Sequence, residues 1–354
     1  MTILDSPLYQ RELEEICREA LPWERFAHKT ILVTGATGLI GSYLVDLFLK
    51  MNDIAQLEMR ILAFCRDEIK SRRRFYPYRN RTDLQILVAD ICDEIKTEIE
   101  WDYVIHAAGN NHPQAFASQP VQTMQSAFLG MMNLLEHSRK QVHQPERVLL
   151  LSSGEIYGKQ TIHRETGYLE SDAGEVLSMQ PRSCYPEGKR AAETLCAAYY
   201  QEYGLNTCVA RLSYIYGATM SENSTKADVQ FMKRAFAQKD IILKSAGTQY
   251  RSYTYLADAA VAILTILLRG TVGEAYNVAN PNSQVTIKNF AKTLARAAGV
   301  TVIEACASET EKAGYSTMTK EILNAEKLYR LGFEARVGID EGLERILCIH
   351  RSVV

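Results

Sequence analysis

Tyr185 and Lys189 stand four positions apart in Ser183-Cys184-Tyr185-Pro186-Glu187-Gly188-Lys189-Arg190, a spacing that puts both side chains on one face of a helix. Pro186 suits the first position of that helix. A cationic lysine beside a phenol favours phenolate, so the pair predicts a tyrosine whose pKa is lowered towards that of a general base. On its own the spacing also describes a surface pair. A second segment gives it a context. Residues 31–41 read Ile-Leu-Val-Thr-Gly-Ala-Thr-Gly-Leu-Ile-Gly, an apolar run of strand length entering a turn with glycines at 35, 38 and 41. Leu44, Val45, Leu47, Phe48 and Leu49 follow as a helical pattern. Gly35 permits the tight turn, Gly38 lets a pyrophosphate approach the backbone, and Gly41 lets helix and strand pack closely. The anion then sits on the helix N-terminus, where unpaired N–H groups and the helix dipole favour negative charge. Strand, turn and helix in that order predict a dinucleotide site.

The elements that must hold these groups are legible as an alternation. Apolar strand candidates are Ile31–Thr34, Arg60–Phe64, Gln85–Val88, Tyr103–His106, Val148–Ser152 and Thr207–Leu212, with helical patterns such as Gln119–Gln141 and Pro186–Tyr203 between them. Alternation of this kind requires right-handed crossovers and a parallel sheet covered on both faces, a doubly wound α/β domain. Past about Tyr216 the texture changes to a polar loop (Ser221–Lys226), a helix around Val229–Gln238, a short strand Ile241–Lys244 and a helix from Asp258. The expected division is a helical extension over 1–28, a dinucleotide-binding domain over 29–215 and a smaller substrate lobe over 216–354. The helix from Asp258 is expected to pack back on the first domain. Leu13, Ile16, Cys17 and Leu21 lie at helical spacing, which makes the extension a structural addition.

The 354 residues suffice for a sizeable core, and a formal net charge of −2 gives no reason to expect nucleic acid or an anionic membrane as partner. The cluster Arg72-Arg73-Arg74 with Arg79 and Arg81 reads as a solvated loop after the second strand. Eight scattered cysteines contain no Cys-x-x-Cys pair, so neither a metal site nor a disulfide framework is expected. Residues 1–6 lack the basic start and apolar core of a signal peptide, and the longest apolar stretch, Ala259–Leu268, is too short to span a bilayer. A cytoplasmic location is the expectation.

Thr34–Gly41, Asp90 at a strand end, His106-Ala107-Ala108-Gly109, Ser152-Ser153-Gly154-Glu155-Ile156-Tyr157-Gly158, Tyr185 with Lys189, and Arg211 through Gly217 occur in one order. Together they resemble the extended short-chain dehydrogenase/reductases, in particular the nucleotide-sugar epimerase/dehydratase group, over roughly residues 29–340. The stretch from Pro181 to Arg190 looks most like that of UDP-glucuronate decarboxylases. The resemblance implies a Rossmann-type sheet, NAD as cofactor and a nucleotide sugar as substrate. Gly35, Thr37, Gly38, Leu39, Ile40, Gly41, Asp90, Ile91, Ala107, Ala108 and Gly109 would line the cofactor, with Asp90 on the adenine. Lys189 would hold the nicotinamide ribose and lower the Tyr185 pKa. Tyr185 would take the proton of the sugar 4-hydroxyl while hydride leaves C4, and Ser153 would bond the same oxygen. Glu155 would then act at C5 and C6, as dehydration or decarboxylation requires. Arg251 would contact the substrate phosphate.

Several positions depart from the family pattern. Gly154 replaces the aspartate of the dehydratases' Asp-Glu pair. Met318 falls where the decarboxylases carry an arginine. Tyr214, Asp228 and Ala127 fall where the family has asparagine, arginine and asparagine. Phe64-Cys65-Arg66-Asp67 lacks an acidic residue directly at the strand end, so Arg66, with Arg72–Arg74, offers NADP as the alternative cofactor. The resemblance also implies a homodimer through the Gln119–Gln141 and Pro186–Tyr203 helices. The functional alternatives are a nucleotide-sugar epimerase and a catalytically silent NAD(P)-binding regulator.

Overall fold

The computed structural model describes residues 2–159, 165–221, 224–316 and 318–353. The expected polar loop at 221–226 therefore lies partly outside the described residues. The strands are β1 (Thr30–Thr34), β2 (Arg60–Cys65), β3 (Leu84–Val88), β4 (Tyr103–His106), β5 (Arg147–Ser153), β6 (Thr207–Leu212), β7 (Tyr214–Tyr216), β8 (Ile241–Leu243), β9 (Tyr250–Tyr255), β10 (Ala275–Val278), β11 (Gln284–Thr286), β12 (Val302–Glu304) and β13 (Lys320–Glu321). The helices that matter for the site are α1 (Pro7–Cys17), α2 (Leu39–Ala55), α3 (Glu68–Arg74), α4 (Pro113–Ser118), α5 (Pro120–Lys140), α6 (Cys184–Tyr203), α7 (Ala227–Phe236) and α8 (Leu256–Arg269).

A parallel sheet covered on both sides buries both faces of its strands, and Ile31, Leu32 and Val33 are accordingly fully buried. The sheet has seven strands in the order β10-β6-β5-β4-β1-β2-β3, all parallel. Six of them lie on the apolar runs. The seventh, β10, is short and has a buried asparagine at its centre, which hides it from a hydrophobicity reading. Asn277 is satisfied by Tyr157, by the Tyr168 carbonyl and by the Asn324 carbonyl, at 2.7–2.9 Å. The chain thus returns from its later part to finish the sheet, and α8 packs on β5, β6 and β10. A smaller sheet, β11-β9-β13 with β7 on β9, brings the later part of the chain towards the site.

The N-terminal helix α1 is fastened by buried polar bonds. Tyr9 donates to Asp46 at 2.6 Å, and Glu12 accepts from Tyr43 at 2.9 Å and Tyr255 at 2.7 Å. Arg74 bonds the same Asp46, and Arg81 pairs with Asp53 and Asp83. The arginine cluster is therefore only in part the solvated loop expected: Arg72, Arg73 and Arg79 are exposed, but Arg74 and Arg81 are not. Arg72–Arg74 end a helix, and two of the cluster's arginines are held on α2 or beside it because Asp46 and Asp53 need cations. Helix α6 begins at Cys184, so Pro186 is third in the helix, not first. Its missing N–H still falls among the orphan donors of the first turn. No helix among the described residues is long and apolar enough to cross a membrane.

Candidate active site

The glycine turn between β1 and α2 has the shape that a bound diphosphate needs. Gly35 lies at φ +62°, and a Cβ there would come within 2.7 Å of the Ala107 carbonyl oxygen. A Cβ on Gly41 would meet the Gly35 carbonyl oxygen at 2.4 Å. Gly38, the residue before α2, would meet only its own turn, which leaves its outer side open to a ligand at the helix N-terminus. Thr34 ties the ends of β1 and β4 together, its hydroxyl accepting from the Ala108 N–H at 3.2 Å and pairing with His106 Nδ1 at 2.9 Å. Burial lowers the His106 pKa to about 3, so its ring stays neutral. Thr37, Leu39 and Ile40 complete the turn, and Leu39 is anchored from the other side by Thr219 at 2.6 Å.

Asp90, expected on the adenine, caps its own turn through the Cys92 N–H at 2.9 Å, and Arg66 lies 4.0 Å from its other oxygen. Arg66 is well exposed, whereas Arg74 is committed to Asp46 and Arg72 to Glu68. Of these three, only Arg66 remains directed towards this end. Ile91, expected to line the cofactor, has its side chain in the core against Gly130. The small residue at 130 lets α5 approach, and Ile91 fills that contact.

The groups expected to react converge at the C-terminal end of β5 and the start of α6. Ser153 ends β5, accepts from the Glu155 N–H at 3.2 Å and lies close enough to the Tyr185 phenol to lower its pKa. The Tyr185 ring stacks on Phe116 with centroids 4.6 Å apart, and the Arg182 guanidinium lies 4.6 Å from the Phe116 centroid. Lys189 is buried and donates to the Leu151 carbonyl at 2.7 Å. A Cβ on Gly109 would come within 4.0 Å of its Nζ, which places Gly109 beside it. Burial draws the Lys189 pKa down to about 8 against the pull of Glu193, which Arg211 holds at 2.8 Å.

The lowered Tyr185 pKa expected from Lys189 is not what the site produces. Burial, then the charge of Glu155, push the phenol above its ordinary value, and Ser153 only partly offsets this. The ammonium of Lys189 is turned to a backbone carbonyl, so its charge does not govern the phenol.

Glu155 is enclosed and paired with Arg182 at 2.8 Å, each side chain 14% exposed. It is therefore no solvent-facing loop residue. Beside it is a cavity of about 290 Å³, whose lining includes Arg182, Ser183, Ser316 and Met318. Arg251, expected on a substrate phosphate, is buried. It faces Glu321 across 3.7 Å and lies over the Tyr214 ring.

Glu321, Arg182 and Phe116 were not among the site residues expected from the sequence. Glu321 reaches the site because β13 pairs with β9 in the register that sets it beside Arg251. Its Oε1 would lie 2.7 Å from a Cβ on residue 154. No local pattern marks it, since the signal is a long-range strand register. Arg182 sits within the Pro181–Arg190 motif, and its proximity to Tyr185 was its only cue.

A family model described as the NAD dependent epimerase/dehydratase family matches residues 31–279. A UDP-glucuronic acid decarboxylase of Xenopus tropicalis is 27% identical over 325 residues, covering 92% of this chain and 72% of that protein. The dTDP-glucose 4,6-dehydratase of Streptomyces venezuelae, solved with NAD and TYD, superposes with a TM-score of 0.78 at 22% identity, over 91% of this chain and 97% of that one. The UDP-glucuronic acid 4-epimerase of Bacillus cereus, solved with UDP-glucuronic acid and NAD, gives 0.75 at 19% identity, over 92% and 100%. Three different reactions are thus represented among proteins similar to this one. The match across most of the chain, on a seven-stranded parallel sheet with the glycine turn and the Ser153–Tyr185–Lys189 convergence in place, establishes that the chain belongs to the NAD dependent epimerase/dehydratase family.

Proposed function

We propose that the protein modifies a nucleotide-activated sugar by transient oxidation at C4 followed by chemistry at C5 and C6. The carrying observation is that Ser153, Tyr185 and Glu155 meet at one end of β5, with Glu155 held by Arg182 and not by solvent. NAD, when bound, supplies the hydride acceptor for C4. The open side of Gly38, with Gly35, Gly41 and Ala107–Gly109 around the turn, would hold its diphosphate, and Lys189 would hold its nicotinamide ribose. Tyr185, beside Ser153, is the group placed to take the proton of the 4-hydroxyl, the burial that raises its pKa being offset when the cationic nicotinamide is bound. Ser153 bonds the same oxygen and fixes its direction. A 4-keto group acidifies the C5 proton and labilises a carboxylate at C5. Glu155 is the nearby carboxylate that can then remove or return a proton. Arg182 keeps it oriented and limits its push on the phenol.

The test is incubation with UDP-glucuronate, UDP-N-acetylglucosamine, dTDP-glucose and GDP-mannose in D₂O, read by mass spectrometry. Loss of water or of CO₂ from one of them is the expected result. Glu155→Gln should still reduce the cofactor while the later step slows by about 10²–10⁴-fold, the usual worth of a positioned acid/base. Turnover of that variant at the wild-type rate overturns the role of Glu155. Unchanged mass with inverted configuration makes the protein an epimerase.

A further inference from the structure

Once C4 is a ketone, eliminating a hydroxyl from C6 needs two groups, one to take the C5 proton and one to protonate the departing oxygen. Glu155, held by Arg182 at 2.8 Å, suits the first task. A second carboxyl group stands beside it. Glu321 enters from β13, far along the chain, and its Oε1 would lie 2.7 Å from a Cβ on residue 154. Because residue 154 is glycine, the side-chain space between Ser153 and Glu155 is left to Glu321. C6 is one bond from C5, so a sugar with its 4-oxygen at Ser153 and C5 at Glu155 brings its C6 substituent to this same short stretch of chain. Glu321 is also uncommitted. It is 2% exposed, and its Oε2 has no hydrogen-bond partner among the described residues. Arg251 Nη1 lies 3.7 Å from that oxygen, too far for a hydrogen bond, and Arg251 Nε and Nη1 are themselves without partners among the described residues. The two face each other without closing. Glu155 thus has a cation within hydrogen-bond reach, whereas Glu321 has none among the described residues, and an enclosed carboxyl in that position favours its neutral form.

Resting on the reading that the sugar is oxidised at C4 and that Glu155 takes the C5 proton, we propose that Glu321 is the general acid of a C5–C6 elimination, which makes the substrate a nucleotide hexose with a free 6-hydroxyl. In that step the C5 proton passes to Glu155 and its electron pair forms the C5–C6 double bond. The C6–O bond breaks, and the departing oxygen takes the Glu321 proton and leaves as water. Glu155 ends as the acid and Glu321 as the carboxylate, so protons and charge balance. Burial, with the charge of Glu155 adding to it, pushes the Glu321 pKa up to about 7 against the pull of Arg251. The charged and titratable groups that face it are Glu155, Arg182, Tyr168, Tyr185, Tyr214, Arg251 and Tyr253. Two carboxyl groups are thus set to opposite tasks by their surroundings, one beside a cation and one without a closed partner.

The test compares dTDP-glucose, UDP-N-acetylglucosamine and GDP-mannose with their 6-deoxy-6-fluoro analogues on the NAD-loaded protein in D₂O. It follows reduction of the bound cofactor, deuterium uptake at C5, and release of water or fluoride. Fluoride leaves as the anion and needs an acid far less than hydroxide does. Glu321→Gln should still reduce the cofactor and exchange the C5 proton, yet lose water about 10²–10⁴-fold more slowly and release fluoride at close to the wild-type rate. In the wild type, water loss should slow as pH rises through about 7, and fluoride release should not. Water loss by the variant at the wild-type rate overturns the proposal, as does equal slowing of water and fluoride, which marks a structural role. If the variant does not fold, the pH comparison on the wild type decides alone, and the same fall for both leaving groups overturns the proposal. Loss of CO₂ from UDP-glucuronate with no water lost from the other three overturns the acid role while the reading of C4 oxidation stands. Cofactor reduced by none of the four overturns that reading and the proposal with it.

Discussion

Glu321 and Lys189 are ionisable groups that burial pushes towards their neutral forms, and that sets how each responds to pH. For Glu321 the sign follows from a folded pKa raised from 4.5 to about 7. The folded protein then holds a proton that the unfolded chain gives up across that window, so stability is lost as pH rises through it. The Tm of the wild type, measured against Glu321→Gln, should therefore fall between about pH 4.5 and 7 and level off above. A wild-type Tm that rises relative to the variant across the window would mean that Arg251 keeps Glu321 ionised. Tyr185, Lys189 and Ser153 were legible as residues because they sit in a local motif or at a strand end. Their electrostatics were not, since the phenol responds to burial and to Glu155, neither of which the four-residue spacing records.

The turn between β1 and α2 separates two jobs that glycine does. At Gly41 a methyl group would meet backbone atoms of Gly35 and Ala36 at 2.4 and 2.9 Å, and neither can give way without opening the turn. Gly41→Ala should cost about 1–3 kcal/mol in stability, as other overpacked sites do, and should abolish retention of NAD. At Gly38 the added methyl meets only the Gly35 oxygen, at 3.1 Å. Gly38→Ala should keep a near wild-type Tm yet bind NAD weakly, because the methyl stands where the diphosphate approaches. Denaturation and cofactor titration on the two variants check the contrast. If Gly38→Ala bound NAD normally, the open side of the turn would not be the diphosphate site. This element was readable from residues 31–41, because the contacts that require its glycines are made within the turn or to the end of the strand beside it.

In the molecule taken entire, the later part of the chain does more than sit over the sheet. It supplies β10 to the sheet edge, Asn277 to a buried polar junction and Glu321 to the candidate site. Helices α5 and α6 pack together and leave Val121, Met124, Tyr200 and Tyr203 exposed. That pair of helices is the expected dimer contact, and sedimentation equilibrium should return twice the chain mass. Val121→Glu, placing a charge on a side chain 62% exposed, should give a monomer with an unchanged fold. A monomeric wild type would remove the dimer from the description.

The sequence by itself determined the doubly wound sheet, the glycine turn, the tyrosine–lysine pair and the glutamate after the serine pair. Each is written in periodicity or in spacing within one or two adjacent elements, which local physics decodes. Only the tertiary structure decided that Arg251 faces Glu321 across 3.7 Å, that Arg182 claims Glu155, that Ile91 belongs to the core and that a polar strand completes the sheet. Those outcomes depend on strand registers and on burial created by segments far apart in the chain, and no pattern within a local window carries that information.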